Sequence, residues 1–197
     1  MTEPERLRAD AVRNRAAILR ATEELLAHHH PQQISMEQVA AAAGVGKGTV
    51  FHRFGSRHGL MRALMQERAQ DLQTAITGGP PPLGEGAPPR ARLLAFLGAM
   101  VELVARNKGL LAALGPAPVA TAPEQEPREE HPVYRAWHGH LSRLIHQQRP
   151  DLDDDMLAHV LLATVHSEPI LNALEHGAAD RLERTLRDLV SGLMPEG

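Results

Sequence analysis

No cysteine occurs anywhere in the 197 residues, so a disulfide framework, a thiolate metal site and a thiol nucleophile or redox switch are all excluded. Aromatic residues are nearly as scarce, at 3%: Phe51, Phe54, Phe96, Tyr134 and Trp137. Sheets draw on aromatic and β-branched side chains, and here Ala and Leu dominate instead, so a nearly all-helical chain is expected. No apolar run approaches the roughly 20 residues that cross a bilayer. The longest, near residues 157–165, is interrupted by His159 and followed by His166 and Glu168. The first ten residues are polar and charged and lack the apolar stretch and small-residue cleavage site of a secretory signal, which points to a cytoplasmic protein. What is present is ordinary for a globular protein, with 43% hydrophobic and 23% charged residues. The net charge of −3 conceals a split: residues 1–76 hold ten Lys or Arg against eight acids, and residues 77–197 hold eleven against sixteen. A slight positive excess thus sits in the N-terminal part, too small by itself to mark a nucleic-acid face.

Apolar spacing predicts a first helix from about Ala11 to His29, with Val12, Ile18, Leu19, Leu25 and Leu26 at three- and four-residue intervals and Pro31 as its stop. Ser35 followed by Gln38 has capping-box spacing and opens a second helix at Met36. That helix carries Val39, Ala40 and Ala43 on one face and meets Gly44, which can take the left-handed conformation that closes a helix. A short helix resumes over residues 47–52, closed by Gly55, with Ser56 as a fresh cap for a long helix over about 57–76. The Gly- and Pro-rich stretch 78–89 cannot be helical. Beyond it, a helix rich in Leu, Met and Val around residues 93–104 is apolar on several sides, and residues 108–114 form a separate short segment. The stretch 115–130, rich in Pro and acids, reads as loop. Val133, Trp137, Leu141, Leu144 and Ile145 mark the next helix. Two apolar segments remain, residues 156–176, kinked at Pro169, and residues 180–193.

Two helices joined by a short glycine-containing turn make the helix-turn-helix plan, whose second helix enters the major groove of DNA. Residues 35–52 have what it needs: small residues where the helices cross (Ala40, Ala43), a glycine at the turn (Gly44) and an inward-facing apolar residue after it (Val45). From Met36 to Met61 the text resembles the TetR family of bacterial transcriptional regulators. Val39-Ala40, Ala43-Gly44-Val45, Gly48-Thr49-Val50, Phe54, Ser56 and Leu60 stand in the family's register. The resemblance implies that Ser35, Lys47, Gly48, Thr49, Phe51, His52 and Arg57 lie at the DNA interface. Phe51 stands where the family usually has Tyr, so a phosphate-reaching hydroxyl is missing and packing is its expected role. Gly46 stands in place of the usual Ser cap, and Arg57 in place of a Lys. Arg13 and Arg15 are candidate phosphate contacts that read more simply as solvated surface.

Other candidates carry blander readings. His28, His29 and His30 are adjacent on a helix and point about 100° apart, so they cannot converge on one ion. His138 with His140, or His159 with His166, have the chemistry of metal ligands, but helix histidines are commonly just hydrogen-bonded. Asp151, Asp153, Asp154 and Asp155 precede a helix, where carboxylates cap free N–H groups. No nucleophile elbow, zinc-protease helix or phosphate loop occurs, so no catalytic residue, metal or cofactor is expected.

The expectation is an all-α chain with a DNA-binding domain at 1–55, a connector helix at 57–76 and a regulatory and dimerisation domain at 77–197. The resemblance further implies a homodimer on a palindromic operator, most simply a repressor, released by a small apolar effector. Its pocket is expected from Phe96, Met100, Trp137, Leu141, Leu162, His166 and Asn172. The twofold interface is expected from the last two helical segments, through Leu161, Val165, Leu182, Leu186, Leu189, Val190 and Leu193. The competing class is a small enzyme built on a helical bundle, which would need its His and acidic residues to converge in one cleft.

Overall fold

A computed structural model describes residues 3–114 and 131–195. Among these residues every regular element is helical. In chain order they are α1 (Glu3–His28), a 3-10 turn (Pro31–Gln33), α2 (Met36–Ala42), α3 (Lys47–Phe54), α4 (Arg57–Gly78), α5 (Pro89–Leu114), α6 (Pro132–Gln148), α7 (Asp154–Thr164), α8 (Glu168–Glu175) and α9 (Ala179–Leu193).

Helix ends differ from the sequence expectation by a few residues at several places, α4 reaching Gly78 and α5 starting at Pro89, and three differences are larger. α1 begins well before Ala11, and Val12, counted in the expected apolar stripe, is 69% exposed; the stripe that meets the core starts at Ile18. Residues 108–114 are not a separate segment but the end of α5. The kink expected at Pro169 is a full break, with α7 ending at Thr164 and α8 beginning at Glu168. A proline ring clashes with the carbonyl four residues earlier and has no N–H to donate, so one helix cannot run through it. In the first turn of α8, where N–H groups lack helical partners anyway, Pro169 costs nothing. The stretch 115–130 lies outside the described residues.

The described residues divide into two compact units. The first runs through Glu67 and takes in the end of α5 from Leu110; the second holds Arg68–Gly109 and residues 131–195. The division falls inside α4 and α5 rather than in a loop. In the first unit Ile18, Leu19, Ile34, Met36, Val39, Val50, Leu60, Met61 and Leu64 form the core. Burying side chains of this size contributes about 1.5–3 kcal/mol each. In the second unit Phe96 is fully buried and meets Trp137 edge-on, with ring centres 6.0 Å apart, among Leu93, Leu97, Met100, Leu141, Leu144, Ile145 and Leu162. Arg149 ties α6 to the end of α9 by donating to the Leu193 carbonyl at 2.6 Å while gripping Asp151 through two further nitrogens.

The turn between α2 and α3 is a Schellman closure. Val45 N–H donates to the Ala40 carbonyl at 3.0 Å and Gly44 N–H to that of Ala41 at 3.2 Å, with Gly44 at φ 67°. A side chain at Gly44 would meet no neighbour, so the whole penalty of Gly44→Ala is backbone strain. We expect that substitution to lower unfolding free energy by about 1–2 kcal/mol. Gly48→Ala, inside helix α3 and equally open, should be neutral or stabilising by up to about 1 kcal/mol. Denaturant unfolding of the two variants beside the parent checks both.

Candidate functional site

Helix α3 is held from two sides. Val50 on its inner face is fully buried in the first unit's core, and Phe54 at its end packs against the same cluster. Its entry is set by the Gly44 turn and its exit by Gly55, at φ 70°, whose N–H donates to the Phe51 carbonyl at 2.8 Å. The next helix begins at once: Ser56 Oγ accepts from Gly59 N–H at 3.1 Å. A Cβ at Gly59 would lie 2.1 Å from the Phe54 carbonyl oxygen, so α3 and α4 approach more closely than any other residue at 59 allows. Gly59 carries no signal in the sequence, because a glycine inside a helical period gives no hint of what lies opposite it.

With the inner face fixed, the outer face of α3 presents Lys47, Gly48, Phe51, His52 and Arg53, with Thr49 half-buried beside them. Gly46 caps the helix without a side-chain bond, leaving the positive end of its dipole uncovered by any carboxylate on α3 itself. Phe51 does not pack as expected: it is 39% exposed and lies beneath the Lys47 ammonium, which stands 5.6 Å from the ring centre. Lys47 also pairs with Glu37 of α2, and hydrogen bonding from Lys47 is the main cause holding the exposed Glu37 carboxyl below its ordinary range. Ser35 closes the reciprocal capping box with Gln38: its Oγ accepts from Gln38 N–H at 3.2 Å, and its own N–H donates to Gln38 Oε1 at 2.8 Å. The Ser35 hydroxyl also donates to the Glu37 carboxylate, a lesser cause of that carboxyl's lowered range. Arg57 is half-buried and turned toward the 3-10 turn, donating to the Gln32 carbonyl at 3.3 Å. Arg13 pairs with Asp10, and Arg15 stands 3.8 Å from Glu67.

This arrangement makes Glu37 a competitor for any phosphate that Lys47 would bind. Lys47→Ala should weaken binding to duplex DNA and flatten the plot of log affinity against log salt by about one. Glu37→Gln should tighten binding about two- to fivefold, in line with release of an exposed ion pair of up to about 1 kcal/mol. Fluorescence anisotropy across a salt series measures both.

In the second unit the residues expected to line a pocket are mostly packed solid. Phe96, Met100, Leu141 and Leu162 are fully buried core, and Trp137 is nearly so. His166 is half-buried, its Nδ1 2.9 Å from the Leu162 carbonyl, and Asn172 is exposed. The residues expected at a twofold interface also need correction. Leu161, Val165, Leu182, Leu186 and Val190 are buried within the chain's own core and Leu193 is packed against it; only Leu189 remains exposed. Periodicity finds an apolar face but does not distinguish a face turned to its own core from one turned to a second copy. The large apolar groups actually left outside on these helices are Met156, Val160 and Leu189.

A cavity of about 230 Å³ does occur, but beside the expected residues rather than among them. It is lined by Gln73, Ile76, Thr77, Glu85, Arg92, Ala136, His140, Arg143, Leu144 and Gln147. Three polar atoms of this lining, Gln73 Oε1, Arg92 Nε and His140 Nε2, are buried with no hydrogen-bond partner among the described residues. Burial first, and then the charges of Arg92 and Arg143, push the His140 imidazole down to about 4, so it is neutral at pH 7. Nothing in the sequence links α4, α5 and α6 at these positions.

Because the unfolded chain takes up a proton near the ordinary value of 6.5 and the folded chain only near 4, stability falls as pH drops through that window. The loss attributable to His140 reaches up to about 3 kcal/mol at the acid end. His140→Gln should flatten that part of the pH–stability curve. An NMR titration should find the His140 ring neutral down to about pH 4.

The acidic tract behaves as helix-start chemistry. Asp153 caps α7 by accepting from Met156 N–H at 3.0 Å, and Asp154 accepts from Ser142 Oγ at 2.5 Å. The four candidate histidines regroup: His138 and His159 come together, without His140 or His166.

The short, outward-facing second helix, its glycine turn and its buried inner anchor define a helix-turn-helix DNA-binding protein. Residues 18–64 match the model of the bacterial regulatory proteins of the tetR family. Solved structures extend the likeness over the whole fold. A TetR-family transcriptional regulator from Pectobacterium atrosepticum aligns over 96% of this chain and 98% of its own, at 21% identity and a TM-score of 0.59. A TetR transcription regulatory protein from Mycobacterium vanbaalenii aligns over 87% and 98%, at 25% identity and a TM-score of 0.51. The fatty acid degradation regulator FadR from Bacillus halodurans aligns over 90% and 97%, at 18% identity and a TM-score of 0.57. No curated protein matches the chain by sequence. Among the described residues no helix is long and apolar enough to cross a membrane.

Proposed function

We propose that this chain is a ligand-responsive transcriptional repressor that binds a palindromic operator as a homodimer. The observation that carries the reading is the outer face of α3, where Lys47, Gly48, Phe51, His52 and Arg53 are exposed on a helix whose inner residue Val50 is fully buried. An eight-residue helix so anchored spends its polar surface on something outside the chain. Ser35 and Thr49 complete the contact, the first by turning its hydroxyl from the Glu37 carboxylate toward phosphate. Arg57 contributes only by leaving the Gln32 carbonyl.

The dimer is formed through α7 and α9, by the exposed apolar residues Met156, Val160 and Leu189 in place of those expected from sequence. A twofold pair would read two major grooves about 34–36 Å apart, or a multiple of that. The effector enters the cavity of about 230 Å³. Its unpartnered Arg92, Gln73 and His140 atoms favour a small molecule with a polar, anionic group over a purely apolar one. To act, the effector must bind the DNA-free and DNA-bound forms unequally.

Footprinting on DNA upstream of the chain's own gene, at two salt concentrations, tests the reading. A protected palindrome whose occupancy falls steeply with salt supports it. Should that DNA fail, selection from a pool of genomic fragments follows, and a pool yielding no bound fragment would overturn the repressor assignment.

A further inference from the structure

Away from α3 and the cavity, a second group of side chains is brought together by the packing of α6 along α7. On α6, Tyr134 and His138 are four residues apart, and on α7 so are Asp155 and His159; that spacing sets each pair on one face of its helix. The two faces meet. The imidazole centres of His138 and His159 lie 4.0 Å apart. His138 Nε2 is 3.6 Å from Asp155 Oδ1, and the Tyr134 hydroxyl is 2.7 Å from His159 Nδ1. One ligand atom from each of His138, Asp155 and His159 lies within 4.8 Å of the other two. Both histidines are half-buried and Asp155 is exposed, so the group is fixed by packing yet open to solvent.

Two imidazoles and one carboxylate are the donor set of a divalent ion of the zinc class. Tetrahedral bonds of about 2.0–2.2 Å place ligand atoms about 3.4 Å apart. The separation of 3.6 Å between His138 and Asp155 is close to that already. The ligand atom of His159 lies within 4.8 Å of the other two and has to move in to complete the set. His138 Nε2 also lies 3.1 Å from the Asp155 carbonyl, so metal binding exchanges an N–H donor contact for a coordinate bond. When His159 Nδ1–H donates to the Tyr134 hydroxyl, its Nε2 lone pair is left for the ion, the outer contact that commonly orients a ligating imidazole. Two protonated rings at this distance would face one carboxylate with a surplus positive charge, whereas a divalent ion replaces both protons.

We propose that His138, Asp155 and His159 bind one divalent ion of the zinc class, with Tyr134 as a positioning residue and the remaining coordination positions open to water or a small ligand. The site is independent of the DNA-binding reading. The test is calorimetric titration of tag-free, metal-stripped protein with Zn²⁺, and with Co²⁺ read by its visible absorption. One equivalent should bind and raise the thermal midpoint by a few degrees once Zn²⁺ exceeds its dissociation constant about a hundredfold. His138→Gln, His159→Gln and Asp155→Asn should each weaken binding at least about tenfold, and Tyr134→Phe about tenfold with the stoichiometry kept. Affinity should fall on acidification, because protons compete with the ion for its ligands. Circular dichroism confirms that each variant is folded, and Tyr134→Phe, which removes one oxygen, supplies the reading should a ligand variant unfold. His28, His29 and His30 are the competing source of binding. Loss of all binding when those three are replaced by Ala, no binding to the parent protein at micromolar Zn²⁺, or affinity unchanged in folded His138→Gln and His159→Gln would each overturn the proposal.

Discussion

Helix α3 has eight residues, far short of the roughly 12–15 at which an isolated helix begins to hold in water. Its existence therefore depends on one anchorage: Val50 buried among Ile18, Leu19, Val39 and Leu60, with the backbone reversing at Gly44 on one side and Gly55 on the other. Everything proposed for DNA recognition is downstream of that. Were the chain at Gly44 to leave the left-handed conformation, α3 would no longer leave α2 at the angle that buries Val50, and without Val50 buried, Lys47, Phe51 and His52 have no fixed face to occupy. The close approach of Gly59 to the Phe54 carbonyl fixes the exit in the same way.

The second unit shows a different economy. Its apolar residues are used up in packing, with Phe96 and Trp137 at the centre, and the space that remains is bounded by polar groups drawn from α4, α5 and α6. A buried donor or acceptor without a partner costs about 1–3 kcal/mol, and three such atoms around one cavity are an expense that a bound polar ligand would relieve. Keeping His140 neutral lessens that cost, since a charged imidazole between Arg92 and Arg143 would add repulsion to desolvation.

What could be read from sequence divides along the same line. The helix-turn-helix was legible because its signals are local: Ser35 and Gln38, Ala40, Gly44 and Val45 speak to one another within a dozen residues, and the structure draws each of those bonds. All-helical character followed from composition. The roles of Leu161, Leu182 and Leu186 were not legible, because an apolar helix face looks the same whether it meets its own core or a second copy. The cavity was hidden for a related reason: Gln73, Arg92 and His140 lie on three helices, and only their packing makes them neighbours. Phe51 reads as a packing residue in the sequence because its partner, the Lys47 ammonium, is one helical turn away and polar or apolar roles fit that spacing equally.

The central claim is that the outer face of α3 is the surface that meets DNA. Amide chemical-shift mapping of isotope-labelled protein, titrated with a duplex recovered from genomic fragments, tests it most directly. The largest changes should fall on Ser35 and on residues 46–53, with the core positions Ile18 and Leu64 little moved. Changes centred on the second unit, with residues 46–53 unperturbed at saturation, would contradict it.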